Sequence, residues 1–311
     1  MANSKRMLMK KIISIAMILV AVSCSTTVNE SVVLDSTHPT FHATIEPSDE
    51  SRTYLDENIR LRWTADDRIT LFEGTTRNKQ YKFMGETGDN AGEFDYVRAG
   101  FGTGNDVDRY YALYPYASSN KLHEDGYITY TFPATQNYAE GSVGLGANAM
   151  VAVTADLDDY DLAFRNVGSY LLVKLYGADQ TVSSIKLTTI GGEPISGKAY
   201  ITPVYRGEPT TQMIENKPSV TLTCDDVVFI GTTKESATSF WIVVPPFTAS
   251  EGISVTVNGF YGGSQIYEVA GPIEFNRNKY KTLTRELTIS NNGAGFGVGG
   301  WGDGENIEGE I

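Results

Sequence analysis

Beyond its N-terminal segment the chain reads as strands. Phe41-His42-Ala43-Thr44-Ile45-Glu46 alternates apolar and polar side chains, which marks one half-buried strand. Ile69-Thr70-Leu71-Phe72, Gln80-Tyr81-Lys82-Phe83, residues 110–114 and residues 127–132 are short and rich in aromatic or β-branched side chains. A second series follows at residues 170–176, 185–187, 199–201, 240–244, 253–257 and 280–283. Turn signals such as Gly85-Glu86-Thr87-Gly88-Asp89-Asn90 and Glu124-Asp125-Gly126 separate the runs, and no window of a dozen residues carries a 3.6-residue period. Short strands at regular spacing predict an all-β chain of antiparallel sheets packed as a sandwich or barrel. The acidic run Asp156-Leu157-Asp158-Asp159-Tyr160-Asp161 lies between the two series. It is the expected boundary between two tandem β-sandwich domains, residues 53–158 and 159–311.

The N-terminus departs from this pattern. Lys5, Arg6, Lys10 and Lys11 form a basic head, and residues 12–22 are an almost unbroken apolar run. That run is too short to cross a hydrocarbon core of roughly 30 Å as a helix. A basic head, a short apolar stretch and small residues before a break define a secretory signal peptide over residues 1–23. Ala21-Val22-Ser23-Cys24 places a cysteine directly after a small residue, as a lipobox requires. Cys24 is therefore the expected lipidation site, although Ala21 stands where Leu is more usual. The alternative is ordinary secretion with Cys24 a free thiol. On the lipobox reading the precursor is expected as a lipoprotein anchored through that lipid to the outer membrane of a Gram-negative cell.

Charge narrows the partners. The net charge is −13, and loss of Lys5, Arg6, Lys10 and Lys11 with the signal peptide takes it to −17. So acidic a chain repels nucleic acid and anionic lipid surfaces. With Cys24 lipidated, Cys224 has no cysteine left to pair with, and it is expected as an inert buried thiol.

Catalytic readings find little support. His38, His42 and His123 include one closely spaced pair, which is too little for a zinc or hydrolase site. Asp156, Asp158, Asp159 and Asp161 lack the glycine and closing glutamate of an EF-hand loop, so a solvated linker is expected rather than a calcium site. Gly293, Gly295 and Gly297 have no strand-and-helix context for a dinucleotide. No metal, cofactor or enzymatic activity is expected.

The two ends of the exported chain carry the most information. The strand through Phe41, Ala43 and Ile45 is followed by the polar segment Pro47-Ser48-Asp49-Glu50-Ser51-Arg52-Thr53, whose one basic residue is Arg52. Exposed polar loops are where proteases cut. At the other end a glycine-rich tail from Asn291 is punctuated by Phe296, Val298 and Trp301. A flexible segment with spaced apolar side chains suits docking into a groove as an added strand.

The lipobox, the strand before Arg52 and Trp63-Thr64-Ala65-Asp66-Asp67-Arg68-Ile69 carry a resemblance, as do Gln80-Tyr81-Lys82-Phe83-Met84-Gly85-Glu86-Thr87-Gly88 and Tyr111-Ala112-Leu113-Tyr114-Pro115-Tyr116. Phe164-Arg165-Asn166-Val167-Gly168-Ser169-Tyr170, Phe240-Trp241-Ile242-Val243-Val244-Pro245-Pro246 and the closing Trp301-Gly302-Asp303-Gly304 complete it. In this order the motifs resemble the fimbrillin family, the type V pilins of gut and oral Gram-negative anaerobes. The resemblance implies two tandem transthyretin-like antiparallel β-sandwich domains and display on the cell surface as a fimbrium. It implies that residues 24–52 are a propeptide, removed by a trypsin-like protease between Arg52 and Thr53 together with the strand through Phe41, Ala43 and Ile45, and it implies polymerisation with other pilin subunits by donor-strand exchange. Phe296, Val298 and Trp301 are the donor-strand candidates, and a host surface protein or glycan is the adhesion partner it suggests. The alternative is a surface lipoprotein acting as a tip adhesin or glycan-binding module.

Overall fold

The computed structural model describes residues 38–46, 61–289, 296–298 and 308–310. Cys24, Arg52, Thr53 and Trp301 lie outside the described residues.

The strands are β1 (Phe41–Ile45), β2 (Arg68–Phe72), β3 (Asn78–Phe83), β4 (Ala91–Ala99), β5 (Tyr111–Tyr114), β6 (Lys121–Leu122), β7 (Ile128–Phe132) and β8 (Thr135–Asn137). They continue with β9 (Met150–Val153), β10 (Asp161–Asn166), β11 (Ser169–Tyr176), β12 (Thr181–Thr189), β13 (Gly197–Thr202), β14 (Thr210–Met213), β15 (Ser219–Phe229) and β16 (Thr238–Val244). The last are β17 (Phe247–Ala249), β18 (Gly252–Asn258), β19 (Ser264–Ala270), β20 (Ile273–Phe275), β21 (Lys279–Glu286), β22 (Phe296–Val298) and β23 (Glu308–Glu310). The fold is all-β, with no helix among the described residues.

Seven strands close a barrel in the order β1-β10-β9-β5-β2-β3-β4. Of the sandwich and the barrel that the strand spacing allows, this half is a closed barrel, and closure follows from β1, which hydrogen-bonds to β10 on one side and β4 on the other. With both sides paired, no free edge remains at that seam. The barrel interior is aromatic: Trp63 meets Phe94, Tyr114 and Phe164 edge-on, with ring centroids 5.0–5.6 Å apart, a favoured geometry for aromatic pairs.

The second half is a sandwich. A sheet ordered β16-β11-β21-β23 faces one ordered β22-β19-β18-β12-β15-β8. Leu171, Val173, Ile185, Leu187, Val255 and Leu283 are among the buried side chains that fill the space between them. Alternation explains the assignment, since β18 buries every second residue along most of its length.

The sheets are not wholly antiparallel, as the sequence predicts them to be. The pairs β1–β10, β11–β21, β8–β15 and β19–β22 are parallel. Each joins segments with other strands between them in sequence, so a crossover rather than a tight hairpin makes the connection. The division expected at 158/159 falls in the β9–β10 turn, inside the barrel. Sheet pairing carries the barrel on to Asn166, while β7 and β8 pair with β13 and β15 of the second half.

Candidate functional site

The seat of β1 is the site on which the sequence expectations converge. β1 runs parallel to β10, with Ala43 opposite Leu162 and Ile45 opposite Phe164, and antiparallel to β4, with Phe41 opposite Phe94 and Ala43 opposite Gly92. Its period-2 alternation puts Phe41, Ala43 and Ile45 on the buried face and leaves His42 and Thr44 exposed. The Phe41 ring stands edge-on to Tyr81, Tyr110 and Tyr160 at 5.5, 4.9 and 5.8 Å. The middle of the seat is narrow. Phe83 lies over Gly92, where a methyl group would stand 2.5 Å from the ring, and the small Ala43 sits opposite.

Both ends of β1 are pinned by polar contacts. Before the strand, His38 Nδ1 lies 2.8 Å from Glu73 Oε2, and the imidazole stacks on Tyr96 at 3.8 Å. Glu73 also accepts from Lys79 Nζ at 2.9 Å and from the Tyr81 hydroxyl at 2.7 Å. Burial and then the Glu73 charge push the Tyr81 hydroxyl well above its ordinary range, so it stays a donor.

After the strand, the Glu46 carboxylate is buried. It accepts from Arg277 Nη1 at 2.7 Å, from the backbone N–H of Asn166 at 2.8 Å and from Arg165 Nη1 at 3.1 Å. Burial works against the Arg277 charge, but the hydrogen bonds and attraction of Glu46 and Glu208 more than offset it and raise its pKa. The Asn166 amide donates to the Tyr170 hydroxyl at 2.7 Å, which donates to Asn148 Oδ1 at 2.8 Å. A buried polar chain thus leads from the end of β1 into the start of the second sandwich.

Sequence reasoning missed this clamp. The local signal was one acid directly after an alternating strand, and nothing near Glu46 in sequence points to Arg277.

The other candidate residues are placed as follows. The backbone of Phe296–Val298 forms β22, parallel to β19, with Phe296 opposite Ser264 and Val298 opposite Ile266. The acidic run caps its own turn: Asp159 accepts from the N–H groups of Ala155 and Asp161, and Asp156 from that of Asp158. Among the described residues no group of three or more His, Cys, Asp or Glu is placed to hold a metal ion. His123 lies 2.8 Å from the Thr129 hydroxyl and stacks on Tyr127. Cys224 is partly buried, and burial followed by the charge of Asp225 pushes its thiol up to about 11.

No protein-family model matches the chain, and no curated protein matches it. Among solved structures it is similar to a candidate cell adhesion protein from Bacteroides ovatus, at 13% identity and a TM-score of 0.47, over 88% of this chain and 95% of that one. It is similar to a candidate cell adhesion protein from Bacteroides uniformis, at 16% identity and a TM-score of 0.45, over 80% of this chain and 93% of that one. A third similarity is to the tip fimbrial protein Mfa3 from Porphyromonas gingivalis with C-terminal truncation. There the identity is 9% and the TM-score 0.33, over 80% of this chain and 96% of that one.

Proposed function

We propose that the chain is a structural subunit of a surface fimbrium, kept unassembled by β1 and made competent when β1 is cut away. The observation that carries this reading is the placement of β1. Five residues, hydrogen-bonded on both sides, close the barrel and plug its interior. Arg52 follows seven positions after Ile45. A trypsin-like protease cutting between Arg52 and Thr53 separates β1, and with it the lipid on Cys24, from the rest of the chain.

Loss of β1 turns β4 and β10 into facing edges whose unpaired N–H and C=O groups are costly unless another strand enters. It also uncovers the apolar seat of Phe41, Ala43 and Ile45. A strand from a neighbouring subunit satisfies both, with the C-terminal segment bearing Phe296, Val298 and Trp301 as the donor. The pairing of β22 with the edge of β19 supports this, because it is the geometry of strand addition. A head-to-tail contact repeated without closure gives a filament. In this reading the barrel and the sandwich are two tandem transthyretin-like domains, and the polymer supports adhesion to a host surface protein or glycan without enzymatic activity or a cofactor.

A second reading is a lipid-anchored adhesin or glycan-binding module. It is favoured by Phe260 and Tyr261, two exposed aromatic rings 5.4 Å apart between β18 and β19. Mass and N-terminal sequence of the surface-displayed protein separate the two. A chain beginning at Thr53 without lipid fits the fimbrial subunit, and retention of lipidated Cys24 fits the anchored module.

A further inference from the structure

Donors from three residues converge on one carboxylate at the end of β1. Arg277 Nη1 and the Asn166 N–H both give to Glu46 Oε1, at 2.7 and 2.8 Å, and Arg165 Nη1 gives to Oε2 at 3.1 Å. The Arg277 side chain is only 15% exposed, and Asn166 is fully buried. Arg165 and Asn166 belong to β10, and Arg277 to the loop between β20 and β21. None of the three is on β1, so all of them stay behind when β1 leaves.

Resting on the reading of β1 as a removable strand, we propose that the vacated seat selects its next occupant by charge. It takes an extended segment of a neighbouring subunit that carries an acidic residue at the C-terminal end of its apolar stretch, as Asp303 follows Trp301 in the sequence of the tail. An occupant without that acid leaves the buried Asn166 N–H without its acceptor and the Arg277 guanidinium with the Asn166 carbonyl, 2.8 Å from Nη1, and the exposed Glu208 in place of its buried counter-charge, which costs far more than a neutral mismatch at the surface. Glu208 does not replace the missing carboxylate. It meets Arg277 Nη2 at 3.3 Å with a side chain that is 78% exposed, so it holds the guanidinium from the solvent side. Shape sets the rest of the pattern: a large apolar side chain at the Phe41 position, a small one opposite Gly92, and a branched one at the Ile45 position. Hydrogen bonds to the strand backbone accept any sequence, whereas the carboxylate socket does not. Specificity among donor segments resides there.

The test uses full-length protein cut after Arg52, with its β1 fragment still seated. A labelled peptide of residues 38–46 is added, and its exchange into the seat is compared with that of the Glu46→Gln peptide. The Glu46→Gln peptide is expected to bind about tenfold to a hundredfold more weakly. Arg277→Met removes that difference, and Arg277→Lys retains part of it. Equal uptake of the two peptides by wild-type protein overturns the proposal and leaves the removable strand standing. Absence of exchange by either peptide contradicts the removable-strand reading, and the proposal falls with it.

Discussion

Gln136 grips the backbone of Val243 from both directions, donating through Nε2 to its carbonyl at 2.7 Å and accepting from its N–H at 2.9 Å. Val243 pairs with Tyr170 of β11 on the opposite side of β16. The amide therefore completes the outer row of an edge strand and ties the segment after β7 to the second sandwich. Gln136→Leu leaves a buried N–H and a buried C=O unpaired, which is expected to cost at least about 2 kcal/mol. Gln136→Glu, which cannot donate, is expected to be no better. Urea unfolding of the two variants measures this.

The buried face of β1 gives a second prediction. Phe41→Ala in the full chain removes the ring between Tyr81, Tyr110 and Tyr160, at an expected cost of about 3–5 kcal/mol. Ile45→Asp puts a charge among apolar neighbours and is expected to cost several kcal/mol. Thr44→Ala, on the exposed face of the same strand, is expected to change stability by less than about 0.5 kcal/mol. Equal melting temperatures for wild type and Ile45→Asp would contradict the packing of β1.

Asp67 makes stability depend on pH. Burial pushes its carboxyl up to about 6, against the hydrogen bonds from the Thr64 N–H and the Tyr114 hydroxyl. Between an ordinary aspartate pKa of about 4 and that raised value, the folded chain holds more protons at this site than the unfolded chain. Its contribution is fully present below about pH 4 and is lost as pH rises through about 6, a fall of roughly 3 kcal/mol at most. Asp67→Asn is expected to flatten this window. Denaturant midpoints measured from pH 4 to pH 7 check the sign, and a wild-type midpoint that rises across the window with no change in Asp67→Asn would reverse it.

Local pattern made the strands readable and left their partners hidden. Phe41, Ala43 and Ile45 announce a half-buried strand because the period of two is written in adjacent residues. Nothing local says that this strand lies between β4 and β10, so barrel closure and the parallel pairing with β10 were invisible. β4 was missed because just one of its nine residues, Phe94, is fully buried, and a mostly solvated strand shows little alternation. The acidic run looked like a linker because its carboxylates cap backbone N–H groups within a short turn, which leaves the same sequence signature as a solvated boundary. The Glu46–Arg277 contact spans 231 positions, beyond the reach of any spacing argument.

The central claim is that removal of β1 licenses assembly. Its most direct measurement is the ladder of polymers on a denaturant-resistant gel, for protein left intact and protein cut after Arg52. Each is compared with the same chain truncated at Asn291. The account predicts ladders from the cut full-length chain, none from the intact chain, and none from the cut truncation, because the seat must be empty and the donor present. Ladders from the intact chain, or none from full-length chain shown to be cut at Arg52, would contradict it.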